Sequence, residues 1–230
     1  MNELKIILEE LKALENSKNR EGMARFGINT EKAFGVSVKH IREIAKPFRK
    51  NHSLALELWD TGYHECRIMA SIVAEPKKLE GTTLDQWVAD FNSWDVCDQT
   101  CVNLIVKSRF AVSKIAEWAE NEEEFIRRTA FSMIAVNSVH NKKLENEDFH
   151  AFLQLIKKYS FDERNFVKKA VNWALRQIGK RNLELNALAI NLSEELIESE
   201  LKSAKWIGRD AFKELTNTKI QSRLLEKSKR

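Results

Sequence analysis

The apolar positions along the chain recur at the spacing of helices. Leu4, Ile7, Leu8, Leu11 and Leu14 lie three or four apart and predict an amphipathic first helix ending near Asn16 and Ser17. The stretch from Gly22 to Gly35 reads as a connection. Ser37 is a suitable N-cap for a helix carrying Val38, Ile41, Ile44, Ala45 and Phe48 on one side, which Pro47 ends or kinks. The same periodicity predicts helices around 53–60, 63–74, 83–91, 94–107, 111–119, 122–136, 147–159, 163–180, 183–190, 193–200 and 203–215. No segment alternates as a strand does.

A loose repeat runs through these helices. CRIMASIVA (66–74), IRRTAFSMIA (126–135) and VKKAVNWAL (167–175) each place basic or polar residues before a small-apolar helix, and the region 94–107 falls midway in the first gap. Helix pairs recurring every 30–40 residues or so describe an all-α, right-handed superhelical solenoid of HEAT-like units, one domain over residues 1–230. The stretch 138–148 reads as an exposed connection within it.

Composition narrows the class. Seven glycines and two prolines in 230 residues are too few for the tight corners of an all-β fold. No apolar run reaches the roughly 20 residues that cross a bilayer, and the first twenty residues lack the apolar block of a secretory signal, so a soluble, cytoplasmic protein is expected; a monomer is expected as well. Three cysteines (Cys66, Cys97, Cys101) and five scattered histidines give no metal-ligand pattern; the cysteines read as buried reduced thiols, and no metal or cofactor is expected. The net charge of +4 is a mild excess, so the placement of the charges matters more than their sum.

Three helices place unusual chemistry. On 163–180, Phe166, Val167, Ala170, Val171, Ala174 and Ile178 form the apolar face, while Trp173 shares a separate stripe with Lys169, Arg176 and Lys180. Cations neutralise phosphates and an indole covers a sugar or base, so the stripe suits a nucleic-acid backbone; it equally suits a boundary tryptophan beneath solvated lysines. On 122–136, Arg128 points away from the core side between Ser132 and Ala135, either as a phosphate ligand or as a solvated arginine. On 94–107, Trp94 and Asp98 stand one turn apart on a helix that is apolar on several sides. A carboxylate there is either functional or neutralised by an arginine, and Asp95 can cap the helix start.

Four dispersed segments, in order, resemble the AlkD-type DNA glycosylases. SWDVCD (93–98) is similar to that family's tryptophan followed four residues later by its key aspartate. IRRTAF (126–131) resembles the motif whose arginine precedes two small residues, and KKAVNWALRQIGK (168–180) the motif bearing the second tryptophan. EGMARFG (21–27) with FGV (34–36) matches the N-terminal pattern.

The resemblance covers roughly residues 20–180. It implies a cationic concave face holding duplex DNA, Trp94 and Trp173 on the backbone of the lesion-bearing nucleotide, Asp98 as the catalytic carboxylate and Arg128 on a nearby phosphate. It also implies excision of N3- and N7-alkylated purines without drawing the base into a pocket. Phe26 occupies the place of a family tyrosine and is expected at the DNA without that hydroxyl; Ser93 stands where the family often has another aromatic. The rival readings are a non-catalytic relative that binds bent or branched DNA by shape, and a protein-binding scaffold.

Overall fold

Helix starts in this chain are written largely in asparagine. A computed structural model describes residues 2–229. Asn2, Asn16, Ser37, Asn51, Asn182 and Asn217 each occupy an N-cap, where the side-chain oxygen accepts a backbone N–H of the first turn. Glu145 and Asp148 form a reciprocal capping box at another start. The described residues form fourteen α-helices and two short 3₁₀ turns, with no strand, in the HEAT-like helical-repeat class that the periodicity predicts.

The chain divides into two units, Met1–Phe110 and Ala111–Arg230. The first holds α1 (Glu3–Ala13), α2 (Ser17–Arg25), α3 (Val38–Ala45), α4 (His52–Asp60), α5 (His64–Val73), α6 (Gly81–Ala89) and α7 (Trp94–Asn103). Its centre is α5, which packs on α3, α4 and α7 and buries Cys66, Ile68, Met69, Ala70 and Val73. Trp59 of α4 stacks on Trp87 of α6 with ring centroids 4.1 Å apart, and its indole N–H donates to Asp90 at 2.9 Å.

Glu65 lies fully buried in α5, yet its carboxylate is satisfied. It accepts the successive backbone N–H groups of Phe34, Gly35 and Val36 at 2.8–3.1 Å. A buried carboxylate without such partners would be expelled or neutralised; here it clamps the turn that carries the FGV segment. Gly35 is required in that turn, because its φ is +79° and an added Cβ would sit 2.3 Å from the Asn16 carbonyl oxygen.

The second unit holds α8 (Ile115–Glu120), α9 (Glu124–His140), α10 (Asn146–Tyr159), α11 (Asn165–Gly179), α12 (Leu183–Glu198), α13 (Lys202–Leu215) and α14 (Thr218–Ser228). Here α9, α11 and α13 pack side by side in one layer, and α8, α10 and α12 form the other. The repeated segments on α5, α9 and α11 are thus each the second helix of a pair, those on α9 and α11 in successive pairs. Gly208 lets α13 lie against α12: a Cβ there would meet the Ser193 carbonyl oxygen at 2.5 Å and the Ile197 nitrogen at 2.8 Å.

Four stretches differ from the sequence expectation. The connection expected at 22–35 begins with the last residues of α2, which buries none of its residues and is therefore invisible to apolar periodicity; it is held by Asn16 and by the Asn19 amide donating to the Gly35 carbonyl at 3.1 Å. The two helices expected at 183–190 and 193–200 are one: Ser193 lies within it, its hydroxyl donating to the Ala189 carbonyl at 2.7 Å instead of capping a new start. The chain past 215 carries α14, anchored by the single buried Leu224. The exposed connection at 138–148 shortens, since α9 runs to His140.

Candidate nucleic-acid interface

In the first unit, α7 presents its functional residues along one edge. Val96, Cys97, Thr100 and Cys101 are buried, whereas Trp94, Asp95, Asp98 and Gln99 are partly exposed. The helix is thus less deeply buried than its apolar content suggests, and the i, i+4 pair Trp94 and Asp98 lies at its accessible border.

Trp94 is held by the loop after α2, its indole N–H donating to the Phe26 carbonyl at 3.1 Å. Phe26 therefore meets Trp94 through its backbone, and leaves its ring 73% exposed. Such exposure of a large aromatic ring is unfavourable in water and leaves a face for stacking. Ser93 is fully buried; its hydroxyl accepts the Asn29 N–H at 2.9 Å, fastening the same loop to the start of α7. The serine thus supplies by hydrogen bonding a support that a larger aromatic would give by packing.

Asp95 is not the N-cap of α7, a position Ser93 occupies; its Oδ1 accepts the first-turn Val96 N–H at 3.0 Å, and its other oxygen pairs with the buried His64 Nε2 at 2.9 Å. This pair lies on a cleft of about 780 Å³ whose walls include Met23, Phe26, Val36, Ile68 and Trp94, with Lys18 and Arg25 among the flanking residues. Asp98, one turn further along α7, does not line it.

In the second unit, α11 carries Lys169 exposed and Trp173, Arg176 and Lys180 partly exposed on one stripe. The stripe is not a row of unopposed cations. Arg176 and Lys180 each contact the Glu214 carboxylate at 2.6 Å, and Arg176 also approaches Asp210 at 3.5 Å. Burial would raise the Glu214 carboxyl, but the Lys180 hydrogen bond and the Arg176 charge outweigh it and hold the group below the ordinary carboxylate range.

Arg128 of α9 is 5% exposed, neither solvated nor remote from protein atoms. One of its guanidinium nitrogens donates to the Phe166 carbonyl at 2.6 Å, tying α9 to the start of α11. The neighbouring Arg127, not singled out by sequence, is a structural counterpart: it donates to the Ala119 carbonyl and to Asp162 at 2.7 Å. Asp162 is nearly buried and also holds Arg164. Burial opposes its ionisation, yet the Arg164 and Arg127 hydrogen bonds prevail and keep it below its usual range.

His64, Glu65, Asp162 and Glu214 escape a reading by helical periodicity because each acts on a partner about 30–40 residues away. The one local signal is their residue type: an ionisable group in an otherwise apolar segment requires a partner. All three cysteines are buried, and burial pushes the Cys66 thiol up to about 12, far from reactivity.

Stacked helix pairs with these side chains define a HEAT-like repeat protein of the DNA glycosylase fold class. The family of DNA alkylation repair enzymes matches residues 7–215, and the chain belongs to that family. A solved structure described as "a new family of proteins related to the HEAT-like repeat DNA glycosylases with affinity for branched DNA structures" superimposes with a TM-score of 0.78. The two chains are 20% identical, over 96% of this chain and 95% of that one, a likeness of fold. No match was found among curated proteins.

Proposed function

We propose that this protein binds duplex DNA and hydrolyses the N-glycosidic bond of cationic N3- or N7-alkylated purines, leaving an abasic site. The observation that carries this reading is the edge of α7, where Asp98 stands one turn from a tryptophan whose indole is fixed by the Phe26 carbonyl. Membership of the DNA alkylation repair family supports it.

The lesion supplies much of the driving force. Alkylation places a formal positive charge on the purine, so when the bond to C1′ breaks the electron pair neutralises the departing base, and no acid is needed to protonate it. Positive charge then grows on the deoxyribose as in other glycosyl cleavages. Asp98 opposes that charge and orients the water whose oxygen bonds to C1′; the water's proton passes to the carboxylate or to solvent. Trp94 and Trp173 each offer a ring to a cationic sugar or nucleotide, worth about 0.5–2 kcal/mol in contact. Arg128 and the Lys169, Arg176 and Lys180 stripe engage phosphates, and the exposed Phe26 ring lies against the DNA. The base need not enter a pocket, which avoids an unstacking cost of a few kcal/mol.

A non-catalytic protein that binds bent or branched DNA by shape is the second reading. The counter-charges on Arg176 and Lys180 bear on both readings alike, because any DNA must displace Glu214 to use them. The description of the structural neighbour favours the second. Incubating the protein with duplex DNA containing N7-methylguanine, and separately uracil, distinguishes the two. Glycosylase action releases free 7-methylguanine and leaves an alkali-sensitive abasic site, while neutral uracil stays attached. Binding without release of either base establishes the second reading.

A further inference from the structure

The α11 stripe has a second copy. Lys169, Trp173, Arg176 and Lys180 occupy positions i, i+4, i+7 and i+11 of α11, and Lys202, Trp206, Arg209 and Lys213 occupy the same four positions of α13. At about 100° per residue each set spans an arc of roughly 60°. On α13 that arc faces away from the buried side formed by Ala204, Ile207, Gly208, Ala211 and Leu215. The two helices are neighbours in one layer of the second unit.

The copies differ in how their charges are answered. Arg176 and Lys180 are opposed by Asp210 and Glu214, both of which α13 supplies from its α11-facing side. Lys202, Arg209 and Lys213 are exposed and make no ion pair among the described residues. Trp206 stands among them 40% exposed, where a lone indole loses the benefit of burial. Lys168 of α11 lies over its ring at 5.3 Å, adding a further cation to the patch. A row of unopposed cations around an exposed indole suits a polyanion with apolar sugar edges better than water alone.

The geometry points to Lys202, Trp206, Arg209 and Lys213 as a second DNA-backbone track, with the three cations on phosphates and the indole against a sugar. From Lys202 to Lys213 the track runs about 16 Å along α13, the axial length of about five nucleotides of one strand. This track supplies sequence-independent affinity and takes no part in bond cleavage. It rests on the reading of the chain as a DNA-binding protein.

The test is binding of an unmodified 20-base-pair duplex across a series of salt concentrations, for the wild type and for Lys202→Ala/Arg209→Ala/Lys213→Ala. Loss of three phosphate contacts flattens the slope of log affinity against log salt by about 2.7 and weakens binding at 0.1 M salt on the order of a hundredfold. The charge-conserving Lys202→Arg/Lys213→Arg keeps slope and affinity. Far-ultraviolet spectra establish that the variants fold; should the triple variant fail, Arg209→Ala alone flattens the slope by about 0.9. A triple variant, or that single variant, with wild-type slope and affinity overturns the track while leaving the glycosylase reading standing. A wild type that binds no duplex at low salt overturns both.

Discussion

Glu214→Gln isolates the question of whether the α11 cations serve DNA or only the packing of α11 on α13. The substitution keeps the shape of the side chain and removes the charge that Arg176 and Lys180 each hold at 2.6 Å. These groups are about three-quarters buried, so the two charge-assisted contacts together stabilise the second unit by about 1–2 kcal/mol. At roughly 2–4 °C per kcal/mol for a chain of this length, the melting temperature falls by about 2–8 °C. Affinity moves in the opposite direction. Lys180 loses its counter-charge and Arg176 keeps only Asp210 at 3.5 Å, so one to two more cations become available. Each new phosphate contact steepens the dependence of log affinity on log salt by about 0.9. Duplex binding followed by fluorescence anisotropy over a salt series, beside a thermal melt, reads both effects. A lower melting temperature with wild-type slope and affinity would refute the phosphate role of Arg176 and Lys180.

Three further outcomes follow from the same geometry. Glu65→Ala strands three buried N–H groups, costing about 3–6 kcal/mol in urea unfolding, and speeds amide exchange at Phe34, Gly35 and Val36; native exchange there would sink the clamp. The depressed carboxyls of Asp162 and Glu214 stabilise the fold fully above the ordinary carboxylate range near pH 4. That contribution is lost as the pH falls through their folded values, so urea stability declines on acidification below about pH 4.5, and Glu214→Gln shows a shallower decline. Trp94→Ala slows release of N7-methylguanine by about 2- to 30-fold, the worth of one cation–π contact; an unchanged rate would remove Trp94 from the reaction.

Periodicity discloses what burial imposes and little else. Helices with an apolar stripe, such as α10 and α11, are legible because Phe149, Phe152 and Ile156, or Val167, Ala170 and Val171, must share a face. Helices held by polar contacts are not: α2 buries nothing and α14 only Leu224. For the same reason Trp94, Asp98 and Arg128 can be picked out by type and spacing, while their surroundings cannot. A helix read alone shows Lys169, Trp173, Arg176 and Lys180 as an open basic stripe; Glu214 closes part of it from another helix 34 residues beyond Lys180. Asp95 likewise looks like a cap; one oxygen does take a first-turn N–H, but the other is claimed by His64, 31 residues away.

The central claim is that Asp98 opposes a cation developing on deoxyribose. The most direct measurement is single-turnover release of 7-methylguanine by wild type and Asp98→Asn, with duplex affinity measured in parallel. Loss of a preorganised electrostatic contact of this kind lowers the rate by about 10²–10³-fold, or roughly 3–4 kcal/mol. Binding is retained or improved, since one anion fewer faces the phosphates. Equal release by the two proteins, or none by the wild type, would contradict the account.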